Sequence, residues 1–66
     1  MIGMKEVRLM RHRLDITQEE AARRARVSLA TYRNWETGRN RPSRMGRRYL
    51  MPMIAEAERR AETEKG

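Results

Sequence analysis

Arg33 and Asn34 stand side by side in the segment Ser28-Leu-Ala-Thr-Tyr-Arg-Asn-Trp-Glu-Thr-Gly38. An arginine fork donates twice to O6 and N7 of guanine, and an asparagine amide pairs twice with N6 and N7 of adenine. The chemistry these two side chains could do is the reading of base edges. The charge around them is lopsided. From Arg33 to Arg48 there are six arginines (33, 39, 41, 44, 47 and 48) against one acid, Glu36. A focused positive patch is what a polyanion binder needs, because each neutralised phosphate releases condensed counterions. Arginine suits that task better than lysine, since its planar fork matches phosphate and guanine edges. The plainer reading of the same residues is a solvated face that keeps a small protein soluble.

Other chemistry lacks raw material. The chain has no cysteine, which excludes a disulfide scaffold and a cysteine zinc site. Its one histidine, His12, lies between Arg11 and Arg13 and reads as a surface residue rather than a metal ligand or a base. Glu56, Glu58, Glu62 and Glu64 have arginines interleaved and read as a solvated helix face. There is no glycine-rich loop of the nucleotide-binding type. No apolar run approaches the roughly 18 residues of a membrane span, and no signal-peptide core opens the chain. The expectation is a cytoplasmic protein that is neither an enzyme nor a membrane protein, with no cofactor, no metal and no small-molecule ligand.

The 66 residues carry 16 basic and 9 acidic side chains, a net charge of +7. They form one small domain, residues 1–66. A chain this short buries only roughly 60% of its extended surface on folding, so its margin of stability is thin and help from a partner subunit is expected.

The elements that must position these residues are helical. Period-2 alternation is absent, so no strand is predicted. Met4, Val7, Met10 and Leu14 recur at helical spacing and predict a first helix over about 4–13. Thr17-Gln-Glu-Glu20 has the form of a capping box and opens a second helix ending near Ala25. Its inward residues are the small Ala21, Ala22 and Ala25, and Glu19/Arg23 and Glu20/Arg24 are i,i+4 pairs on its outer face. After a short turn at Arg26 and Val27, Ser28 caps a third helix over 29–37, closed by Gly38. Residues 39–42 form a basic loop. Ser43 caps a fourth helix, which Pro52 should kink or restart, with a last helix over about 52–63.

On the third helix, Thr31, Tyr32 and Trp35 share one side at helical periodicity, and Ala30, Arg33, Asn34 and Thr37 share the other, with Leu29 on its flank. The aromatic side should anchor the core and leave the short polar side outward. Two short helices joined by a tight turn, with a capping serine and a basic loop, make a helix-turn-helix over about 17–38.

Residues Ile16 to Gly38, followed by Pro42-Ser43, resemble the Cro/C1-type helix-turn-helix family. The shared features are the capping Thr17-Gln18, Ala22, Val27-Ser28, Trp35-Glu36-x-Gly38 and Pro42-Ser43. The resemblance covers about residues 4–55 and is nearest to the short branch of phage repressors and antitoxin-type autoregulators. It implies an all-α, lambda-repressor-like compact bundle of four to five short helices. It further implies that Leu29, Ala30, Arg33 and Asn34 face bases. Gln18, Ser28, Thr31, Arg39, Asn40, Arg41 and Arg44 would meet the phosphate backbone. Gln18 would also brace the third helix. Arg11 and Glu36 occupy the positions of a structural ion pair. Two departures stand out. Arg26 replaces the usual glycine between the two motif helices, which should loosen that turn, and Asp15 stands at another common glycine position. Met51, Met53, Ile54 and Ala57 form an apolar stripe read as a dimer contact.

The function expected is that of a homodimeric regulator, acting as a repressor or autorepressor on an inverted-repeat operator in double-stranded DNA. Sixty-six residues leave no room for a separate activation domain. The alternatives are an RNA-binding helical protein and a protein-interaction adaptor, such as an antitoxin, of the same fold.

Overall fold

A computed structural model describes residues 2–65. Four helices follow one another: α1 (Met4–Leu14), α2 (Gln18–Arg24), α3 (Leu29–Thr37) and α4 (Arg44–Lys65). The fold is all-α, as expected. α1 packs against α4 and α3, and α2 packs against α3. Val7, Met10 and Leu14 of α1 meet Ala21, Ala22 and Ala25 from α2 and its end, Tyr32 and Trp35 of α3, and Leu50, Met53 and Ala57 of α4 in one core. Met4, counted with the inward stripe, is instead 38% exposed.

Local chemistry sets the helix ends. Thr17 Oγ1 accepts from Glu20 N (3.1 Å), and Ser28 Oγ accepts from Thr31 N (3.1 Å). Ser43 Oγ accepts from Gly46 N (3.0 Å), so all three expected caps form. The reciprocal half of the Thr17 box does not form as expected. The Glu20 carboxylate turns outward and accepts from Arg23 Nη1 (2.8 Å) and Arg24 Nε (3.1 Å). Two cationic donors outcompete one neutral backbone N–H. For the same reason Arg23 pairs with Glu20 and not with Glu19.

Three helices end in a left-handed residue: Asp15 (φ 55°), Arg26 (φ 60°) and Gly38 (φ 83°). Behind Asp15 and Arg26 the chain closes with Ile16 N to Arg11 O (3.3 Å) and Val27 N to Ala22 O (3.0 Å). These are bonds of the Schellman kind. The turn at Arg26 is therefore kept and not loosened. Its guanidinium lies 5.3 Å from the ring centre of Tyr49, and that stacking offsets part of the strain.

Two expectations for the C-terminal region are corrected. The fourth helix runs through Pro52 as one 22-residue element. Proline removes a single N–H bond, while Leu50 before it and Met53 and Ala57 after it are all held in the same core. Arg60 Nη1 also donates to Leu14 O (3.2 Å), fastening the far half of α4 to the end of α1. Second, Met53 (6% exposed) and Ala57 (1%) lie in the chain's own core and are not open to a dimer partner. A chain with so few large apolar residues needs that stripe for its own interior. Ile54 packs partly against the core, and Met51, 59% exposed, faces outward. Glu58 and Glu62 are exposed, Glu56 is half-buried, and the side chain of Glu64 lies outside the described residues.

Candidate nucleic-acid interface

The geometry of α3 begins with its buried side. Tyr32 (0% exposed) and Trp35 (2%) pack edge to face, with ring centres 6.0 Å apart and planes at 61°. Such a pair holds one side of a helix against the body. α4 approaches that side closely: a Cβ on Gly46 would come within 2.6 Å of the Trp35 ring. Nothing local in the sequence marks Gly46 for this role, because the contact joins residues on different helices.

Glu36 completes the anchorage. It is 5% exposed, and its Oε2 accepts from Arg11 Nε at 2.6 Å while Oε1 accepts from Arg11 Nη2 at 3.4 Å. Gln18 Nε2 donates to the same Oε1 at 3.1 Å. Arg11 also donates to Ile16 O (3.2 Å), so one guanidinium ties α1, the start of the motif and α3 together. Desolvation pushes the Glu36 carboxyl up, but Arg11, the neighbouring Tyr32 hydroxyl and Gln18 outweigh it and hold it below the ordinary carboxylate value. The hydrogen bond to Glu36 raises Arg11 in turn. Burial pushes the Tyr32 phenol far up, so it stays neutral. Its hydroxyl sits beside the pair without a hydrogen bond of good geometry.

The opposite side of α3 faces out. Ala30, Arg33 and Thr37 are exposed, and Leu29 and Asn34 are half-buried. Arg33 Nε donates to Gln18 Oε1 at 3.3 Å. Gln18, the first residue of α2, thus braces α3 through Glu36 and also touches Arg33 on the outer side. Ser28 is exposed and Thr31 half-buried, and they are bonded to each other, Ser28 Oγ to Thr31 Oγ1 at 3.0 Å. Arg39, Asn40, Arg41 and Arg44 are exposed in the loop after α3 and at the start of α4. Arg47 and Arg48, outside the expected contact set, are exposed on the next turn. Their proximity in sequence to Arg44 was the available signal.

The electrostatic consequence follows from one side chain. Glu36 is the only acid between Arg33 and Arg48, and it is turned inward onto Arg11. Among the described residues, Arg39, Arg44, Arg47 and Arg48 form no ion pair, whereas Arg23, Arg24 and Arg60 each pair with a glutamate. Residues 33–48 therefore present arginines and no exposed acid of their own. No group of three or more metal-ligating side chains occurs among the described residues, and none of their helices is long and apolar enough to cross a membrane.

Comparison with curated proteins and with solved structures returned no match. A protein-family model described as a helix-turn-helix domain matches residues 5–50. That span takes in α1, α2, α3 and the start of α4, with the capped turn and the anchored third helix at its centre. The chain belongs to the helix-turn-helix domain family.

Proposed function

We propose that this chain is a sequence-specific double-stranded-DNA-binding transcriptional regulator of the Cro/C1 type, acting in the cytoplasm as a repressor or autorepressor. α3 enters the major groove, with Leu29, Ala30, Arg33 and Asn34 toward base edges. The single observation that carries this reading is the two-sidedness of α3. Tyr32, Trp35 and Glu36 are buried, while Ala30, Arg33 and Thr37 are exposed, as are Arg39, Arg41, Arg44, Arg47 and Arg48 in the stretch that follows. In this reading Gln18, Ser28, Thr31, Arg39, Asn40, Arg41 and Arg44 hold the phosphates, and the free N–H groups at the start of α4 add to that grip.

The regulator binds as a homodimer on an inverted repeat, with half-site centres about 34 Å apart. Support for a second copy comes from exposed apolar groups. Met51 stands out from α4, and Leu9, 48% exposed, lines a cleft with the half-buried Ile54 between α1 and α4. The test is footprinting on the DNA upstream of the chain's own coding sequence, with competition by duplex RNA and single strands. A discrete protected inverted repeat that only duplex DNA competes away supports the proposal. Equal competition by RNA would refute it, because a nucleic-acid binder without groove readout has no reason to prefer B-form DNA.

A further inference from the structure

We propose that Gln18 is a positioning residue that presets the Arg33 guanidinium, so that Arg33 meets guanine through its terminal Nη1/Nη2 edge. This rests on the reading of α3 as the base-reading helix and adds to it how one side chain is aimed.

The chemistry of the chain Arg11–Glu36–Gln18–Arg33 leaves one arrangement. Glu36, ionised, can only accept hydrogen bonds. Arg11 fixes its carboxylate from one side at 2.6 Å. Gln18 reaches the same carboxylate at 3.1 Å, and only its NH2 group can donate there. The amide oxygen of Gln18 must then point the other way, and there it accepts Arg33 Nε at 3.3 Å. The orientation of the outer amide oxygen is thus set by a buried ion pair on the inner side of the motif.

A guanidinium has two edges able to form paired hydrogen bonds. One uses Nε with an Nη, the other uses Nη1 with Nη2. Gln18 engages Nε–H and so takes the first edge out of use. The second edge remains, and its two parallel donors match O6 and N7 of guanine. Arginine otherwise carries large rotamer freedom, which would have to be lost on binding. Gln18 removes part of that freedom beforehand, and it opposes a swing of Arg33 to a neighbouring phosphate.

The experiment has two arms on the full chain. In the free protein labelled with 15N, the Arg33 Nε–H should give a resolved, exchange-protected signal. Gln18→Met, which keeps the length and packing of the side chain but has no amide, should abolish it. In the second arm, binding is measured to duplexes varied one base pair at a time. The base pair whose preference Arg33→Ala removes is the one Arg33 reads. There the wild type should favour guanine, and Gln18→Met should shrink that preference about three- to tenfold, the net worth of one hydrogen bond. Preferences elsewhere should hold, and Gln18→Met should add no loss at that base pair in the Arg33→Ala background. Gln18→Asn, which keeps an amide but shortens it, should behave alike and covers the case in which Gln18→Met does not fold. An unchanged Nε–H signal, or an Arg33-dependent preference untouched by either variant, overturns the presetting while leaving base reading by Arg33 intact. If Arg33→Ala removes no preference at any position, the base-reading role itself fails and takes this proposal with it.

Discussion

Removing Arg11 leaves Glu36 buried with no cation beside it. Breaking one side of such a pair is far costlier than the pair's own net worth, so Arg11→Ala should destabilise the fold by about 3 kcal/mol, measurable as a lowered urea midpoint. The pair also sets a pH limit. Because the folded Glu36 carboxyl lies below its ordinary value of 4.5, its contribution to stability is complete above that pH. It is lost as pH falls through the lower folded value. Acid titration of the unfolding free energy should therefore show a decline beginning near pH 4.5, and Glu36→Gln should flatten that limb while lowering stability at neutral pH. Asn34 poses a different question. If its amide reads an adenine, Asn34→Ala should cost about 1–3 kcal/mol on the cognate duplex and relax one base position. An equal loss on cognate and scrambled duplexes would rule out base reading there.

Among the elements, α4 shows how far a local rule can be overridden. Gly46, in the first turn of α4, is weaker than alanine by at most about 1 kcal/mol, yet the Trp35 ring occupies the space a methyl would need. Gly46→Ala should lower the melting temperature, with overpacking outweighing propensity by about 1 kcal/mol net, and should shift the near-ultraviolet signal of Trp35. The turn between α2 and α3 gives a paired case. Left-handed strain at Arg26 and its stacking on Tyr49 are each worth about 1 kcal/mol with opposite sign. Arg26→Gly should be close to neutral, whereas Arg26→Ala keeps the strain, loses the stacking and should destabilise, both read by thermal unfolding. These cases also mark what the sequence makes legible. Caps, helix order, the inward alanines and the two sides of α3 follow from contacts within a few residues, and they match the fold. The continuity of α4 past Pro52, the burial of Met53 and Ala57, and the approach of Gly46 to Trp35 depend on residues far apart in the chain. Local periodicity does not encode which apolar stripe the core will claim. The same limit hides the contact of Gln18 with Arg33, fifteen positions apart.

For the molecule as a whole, charge and shape act together. Its extents are 35 × 23 × 18 Å, the longest close to the roughly 33 Å of a 22-residue helix. On this small body the stretch from residue 33 to residue 48 carries six arginines and no exposed acid. Association with duplex DNA should weaken steeply with salt, and Arg44→Ala should lower affinity for all duplexes alike and reduce the log–log salt slope by about 1. A slope unchanged by that substitution would take Arg44 out of the phosphate contacts. The division of labour on α3 reaches further. Ala30 is exposed and outside the core, and Asn34 contributes its backbone oxygen to the turn that follows, where Asn40 N and Thr37 Oγ1 donate to it. Exchanging the side chains of Ala30 and Asn34 leaves the buried anchorage of Tyr32, Trp35 and Glu36 untouched, so two letters on this helix are free to rewrite the target site without rebuilding the body that presents them.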